Sequence, residues 1–434
     1  MNTYDRIREK LDAIPIVDDH SHVLTYRVGA LAWDGPYEVM PLSRLLMDFN
    51  IRSCFTQCGL SDTTVDDILL GHISPDEQKK LLTGPHAKNK TTYRFLVRSL
   101  RELYDLDIWD ITADNWDAVN AILAGNRDDF YSLLETVFTK ANVKASVLNM
   151  WSRKCLPYLT DYKESLTQRE KELDSRFFLF SNTIDAHAVA PFGPIAQGWA
   201  EVFGLPLNTL ADYEAMIEKL CVWSVKEKDV RAFKNTEMYY RRLDYRVRSY
   251  EEAAPCYKPD RTAEESRILE DYIACIVFRM AGKLGVPVQI HTGSIWGDFA
   301  MDNISPEHLA TVINAFPNTK FDLLHGGDPF YGTMALMGAG FQNVYVNMST
   351  MANTCYADFE HWLSVFLDRV PSSKITVGWD EFAPELIIGN AWHTRNAIAR
   401  VLAQKVDAGL YSEETALEIA ENIMFRTADS LYGT

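Results

Sequence analysis

The chain has 434 residues, of which 47% are hydrophobic and 24% charged, with 22 glycines and 17 prolines. That size and balance suffice to bury a sizeable core, which excludes a disordered chain, a collagen-like repeat and a disulfide-dense miniprotein. With 43 basic and 60 acidic residues the net charge is −17, so the surface repels phosphate backbones and no nucleic-acid partner is expected.

The first twenty residues carry charges throughout and contain no apolar h-region, so no signal peptide is expected. No run approaches 18 uninterrupted apolar residues, and no membrane span is predicted. Seven cysteines, an odd number, do not form a disulfide framework; the close pair Cys54 and Cys58 reads as two thiols. These features predict a cytoplasmic setting.

The first strand is IPIVD (14–18), a short apolar run of the kind that lies buried in a parallel sheet. Residues 24–140 then change character. TTYRFLVRSLRELYDL (91–106) and NWDAVNAILAGN (115–126) have helical periodicity, and the whole stretch is predicted as a helical insertion. CFTQCGL (54–60) has the apolar look of a strand but is read with that insertion. Strands return at 143–151, 176–184, 229–235, 286–293, 320–327, 343–349 and 374–380, and 187–228 is read as a smaller insertion. Eight apolar runs alternating with helical stretches, and no glycine-rich dinucleotide fingerprint after the first, predict an α/β fold: a single (β/α)8 TIM barrel with a large helical insertion after strand one.

In such a barrel the C-terminal strand ends face the active site. Strand one ends in DDHSH (18–22), strand four carries Lys234, strand five ends in His291, strand six in His325 and strand eight in Asp380. The chain has only ten histidines, so four at strand ends is a concentration that packing alone does not require. Side chains two apart on an extended chain point the same way, so His20 and His22 can face one ion. Imidazole and carboxylate suit Zn, Fe or Mn, and Asp380 can both bind the ion and accept a proton. Asp18 and Asp19 are candidates to orient a ligand histidine. His72, His86, His187, His308, His361 and His393 are read as non-ligands. No GxSxG elbow supports a serine triad.

The motifs DDHSH (18–22), FKNTEMYYRRLDY (233–245), QIHTG (289–293), LLHGG (323–327) and ITVGWD (375–380) resemble the amidohydrolase superfamily, within it the amidohydrolase-related branch. That branch includes uronate isomerase-like proteins, aminocarboxymuconate-semialdehyde decarboxylase-like enzymes and the barrel fused to some glutamine synthetases. The resemblance implies metal-ligand roles for His20, His22, His291, His325 and Asp380. It also implies that Lys234, as the strand-four lysine, is carboxylated by CO2 and bridges two metals, against a free amine that binds substrate. Trp379 departs from the small residue usual before the aspartate, so no substrate is carried over. A homo-oligomer is likewise implied.

The expected activity is hydrolysis of an amide, ester or lactone carbonyl of a small molecule, with one or two divalent ions, zinc ahead of manganese or iron, and Asp380 as proton shuttle. Non-oxidative decarboxylation of a carboxylated aromatic or enol acid, or uronate-type isomerisation, is the alternative and needs one ion. A non-catalytic binding barrel has no need for five convergent ligands. Arg241 and Tyr239 are the expected anchors for a carboxylate-bearing substrate, and Trp296 an expected pocket wall.

Overall fold

The computed structural model describes residues 1–23, 41–125, 129–150, 166–293 and 300–434. Eight parallel strands follow one another round a barrel in chain order: β1 Ile16–Ser21, β2 Val143–Met150, β3 Phe178–Thr183, β4 Val230–Asn235, β5 Val288–Ile290, β6 Phe321–Leu323, β7 Val344–Asn347 and β8 Ile375–Thr376. Every predicted run holds a strand. Strands β5, β6 and β8 stop short of the residues expected to end them, β5 by one position. His325 and Asp380 adopt left-handed backbone angles (φ 64° and 56°), which no strand ladder accommodates.

The seam between first and last strands is bridged by backbone. The Asp19 N–H donates to the Val377 carbonyl (3.2 Å), the Asp380 N–H to His20 (2.8 Å) and the His22 N–H to Glu381 (2.8 Å). This close approach explains Gly378. A Cβ there would lie 2.4 Å from Asp19 Oδ1 and 2.9 Å from the His20 nitrogen, so only glycine fits.

The barrel floor is closed by the final helix, Thr427–Tyr432, whose Ala428, Leu431 and Tyr432 pack against Val17, Val147 and Ala232. Outside, the helix Leu210–Lys228 lies along Ala263–Leu284, joined by Tyr272 to Glu214 (2.7 Å) and Arg279 to Glu214 (2.6 Å). Both helices start with a capping box, Thr209 with Asp212 and Thr262 with Glu265, which satisfies N–H groups that the first turn leaves free.

Between β1 and β2 the chain makes the helices Pro41–Leu46, Asp62–Leu69, Pro75–Leu82, Thr91–Tyr104, Trp116–Gly125 and Phe130–Ala141. The apolar faces of the first five meet in a core of their own, with Leu46, Ile68, Tyr93, Leu96 and Trp116 fully buried. Ala383 and Leu386, just beyond Asp380, belong to that same core. The insertion is therefore anchored to the chain that follows the last strand. Cys54 lies in a short helix, Ser53–Thr56, and not in a strand.

Candidate metal centre

At the C-terminal end of the barrel the side chains from β1, β4, β5, β6 and β8 converge. Asp380 Oδ1 lies 3.3 Å from His20 Nε2 and 3.1 Å from His22 Nε2. One ligand atom each from His20, His325 and Asp380 falls within 4.8 Å of the others, a spread that one ion can span. The His325 ring is 5.6 Å from that of His20 and 4.3 Å from that of His291. Lys234 Nζ lies 3.4 Å from His20 Nε2, and the Tyr239 ring stands edge-on to His291 at 5.1 Å. Six residues spread over 360 positions of sequence thus meet in one place, and Tyr239 borders them.

The donor set fits a cation. Among the described residues, Nε2 of His291 and His325 and Nδ1 of His20 and His22 are buried without a hydrogen-bond partner. Orphaned polar atoms in an interior are costly, and a cation at the convergence of these rings would remove part of that cost. Burial, then the Lys234 charge, pushes His20 well below the usual histidine range. Burial and the neighbouring His325 do the same to His291, and burial takes His325 down to about 4. The imidazoles of His20, His291 and His325 are therefore neutral at pH 7, the form that ligates metal. Burial opposes ionisation of Asp380, but His20 and His22 outweigh it and hold its carboxyl well below its ordinary value. Burial brings the Lys234 amine down to about 7.

A surrounding layer fixes these groups. His325 Nδ1 meets Thr350 Oγ1 at 2.6 Å and Ser349 Oγ at 3.1 Å, leaving Nε2 to face the cluster. The Asp380 backbone is held by Asn50 from the insertion, whose Nδ2 donates to the Asp380 carbonyl (3.1 Å) and to Glu381 (3.2 Å). Asn353 and Asn390 donate to the other oxygen of Glu381 at 2.7 and 2.9 Å, and Asn353 also reaches the Trp379 carbonyl (2.7 Å). Three amides therefore grip one buried carboxyl next to the key aspartate. Beneath lies a second polar layer, in which Asn347 bridges Asp19 (2.8 Å) and Asp322 (2.9 Å) while the Tyr432 hydroxyl donates to Asp322 (2.5 Å).

The two acids before the HxH motif do not orient histidines. Asp18 accepts from Ser146 and from the Trp379 N–H, and Asp19 accepts from Asn347, so both brace the barrel. Arg241 is also placed otherwise than expected. Its guanidinium pairs with Asp271 (2.6 Å) and Glu270 (3.2 Å), both on the helix Ala263–Leu284, and it faces a different cavity. The reason is local: Arg241 follows a tight 3-10 turn, Glu237–Tyr239, that directs Tyr239 to the cluster and the next residues outward. Trp296 lies outside the described residues. Trp379 points away from the pocket, its Nε1 donating to Thr394 on the helix Leu386–Asp407 (3.0 Å). The sequence carried no signal for Thr350, Ser349, Asn50 or Asn353, which come from the insertion and from the loop and short helix that follow β7.

A family model described as amidohydrolase matches residues 257–403, the stretch carrying His291, His325 and Asp380. Protein fluG of Emericella nidulans is 29% identical over 148 residues, 34% of this chain; the chain covers only 17% of that protein's length. The fold is shared over nearly whole chains with uronate isomerase of Thermotoga maritima (15% identity, TM-score 0.77, 100% of this chain and 98% of that one). It is likewise shared with glucuronate isomerase of Caulobacter crescentus (13%, TM-score 0.75, 99% and 94%). A protein of Lactobacillus casei provisionally classed as a metal-dependent hydrolase aligns over 98% of this chain and 97% of its own (16%, TM-score 0.68). The match over 257–403, together with the eight parallel strands and the order of histidines and aspartate along them, relates the chain to the amidohydrolase superfamily.

Proposed function

We propose that the chain is a metal-dependent hydrolase of an amide, ester or lactone carbonyl in a small molecule. The carrying observation is the meeting of four buried imidazoles with one ionised carboxylate at the open end of the barrel. His20, His22, His291, His325 and Asp380 would hold one or two divalent ions, with zinc the first candidate for this donor set and manganese or iron next. Such an ion polarises the carbonyl and acidifies water beside it. The remaining work falls to the chain. Asp380 is ionised and hydrogen-bonded to two rings, so it can take the proton of the attacking water and return it to the leaving group. Lys234, beside His20, would as a carbamate supply a further anionic oxygen ligand.

The runner-up is isomerisation of a sugar acid with a single ion, supported by the likeness along the whole chain to uronate and glucuronate isomerases. Decarboxylation of an aromatic or enol acid is kept with it as a one-ion reaction. Metal content per chain, native intact mass and turnover separate these readings. Two ions, a mass excess of one CO2, and turnover of esters or lactones that Asp380→Asn abolishes support hydrolysis. One ion, no excess, and conversion of D-glucuronate without ester turnover transfer the assignment to the isomerase.

A further inference from the structure

Beside the metal centre lies a second cavity of about 410 Å³, within the range of small-molecule sites. Its walls are the segment after β3, the turn after β4 and the first half of the helix Ala263–Leu284. Tyr239 and Tyr240 divide the two spaces. Tyr239 packs on His291, whereas Tyr240 lines the second cavity and stacks on His187 with ring centroids 3.4 Å apart. None of the proposed metal ligands lines this cavity.

Three guanidinium groups line it, and they are not equivalent. Arg241 is committed to Asp271 and Glu270, and Arg267 to Asp244. Arg261 has no carboxylate partner among the described residues. Its Nη1 donates to the Lys258 carbonyl (2.6 Å), and its Nε is buried with no partner. The two acids on the walls do not balance this charge. Glu270 is already shared with Arg241. Burial pushes Glu237 up to about 8, so it is neutral at pH 7. Ala186, Ala190, Pro191 and Ile273 supply an apolar surface opposite the charges.

We infer that this cavity is a binding site, separate from the metal centre, for a small organic anion: a carboxylate or phosphate ester on an apolar or aromatic body, with Arg261 as its charge partner. A guanidinium with an unused, desolvated N–H forms charge-assisted bonds to such oxygens, and the aromatic and alanine walls take the body. The inference stands independently of the reaction assigned to the metal centre.

The test is calorimetric titration of the purified protein with benzoate and with phenyl phosphate, which share a ring and differ in the anionic head. Arg261→Gln removes the charge, Ser266→Glu places a negative charge on the cavity wall, and Asp380→Asn alters the metal centre alone. Circular dichroism checks that each variant is folded. The expected result is saturable binding of at least one probe, one per chain, weakened tenfold or more by both cavity substitutions and unchanged within twofold by Asp380→Asn. The stronger probe identifies the head group. No saturable binding to the wild type, binding that survives both cavity substitutions, or binding lost with Asp380→Asn overturns the inference.

Discussion

Two residues of the cluster, His325 and Asp380, sit in backbone conformations that non-glycine residues rarely adopt. Such strain persists only where surrounding bonds over-determine it, and it aims the side chain where a regular strand would not. For His325 the restraint is Thr350 and Ser349 on Nδ1. Thr350→Val keeps the shape and removes the closest of these bonds, so metal affinity should fall about 10- to 100-fold, read by competition with a chelator. Glu237 offers a test of pH dependence. Its carboxyl titrates near 8 when folded and near 4.5 when free, so the folded chain holds the extra proton between those values. Its contribution to stability must therefore fall as pH rises through that window. Glutamine mimics the neutral acid, able to face the Tyr245 hydroxyl now 2.5 Å from Glu237. Glu237→Gln should melt close to the wild type at pH 5 and several degrees above it at pH 8.5, in differential scanning fluorimetry.

At the scale of elements, the helical insertion is part of the site and not a detached cap. Asn50 carries that coupling through its bonds to Asp380 and Glu381, and Ala383 and Leu386 carry it through the shared apolar core. Asn50→Ala should lower kcat about 10- to 100-fold while metal content stays near that of the wild type. Loss of metal together with activity would instead make Asn50 a support of the whole centre. The eight strands were legible because a strand buried on both faces is a continuous apolar run, and the histidines stood out by their rarity and their position after those runs. The true ends of β6 and β8 were not legible, since nothing in LLHGG or ITVGWD announces a left-handed histidine or aspartate. Arg241 was misplaced for a related reason. An arginine after a strand looks the same whether its partner is a substrate or Asp271, thirty residues further on. The asparagines around Glu381 come from three distant segments, each ordinary by itself.

At the scale of the molecule, the polar layer under the centre links β1, β5, β6 and β7 to the last helix through Tyr432. Its hydroxyl donates to Asp322 and meets Gln289 Nε2 at 2.9 Å. Tyr432→Phe strips that bond from two buried polar groups and should cost about 1–3 kcal/mol in urea unfolding, without altering the lining of the pocket. Gly378→Ala should be worse, because the added methyl would meet both the buried Asp19 carboxylate at 2.4 Å and the His20 nitrogen of β1 at 2.9 Å.

The seam where β1 meets the segment beyond β8 has one more consequence. His20 and His22 belong to the first strand of the barrel, and Asp380, which must stand between them, comes only after the last. A chain interrupted before the last strand holds the four histidines but lacks the carboxylate. Ion capture at full strength would therefore report that the circle has closed. Because binding energy is then folding energy, an ion held there would act as a latch on the closed barrel.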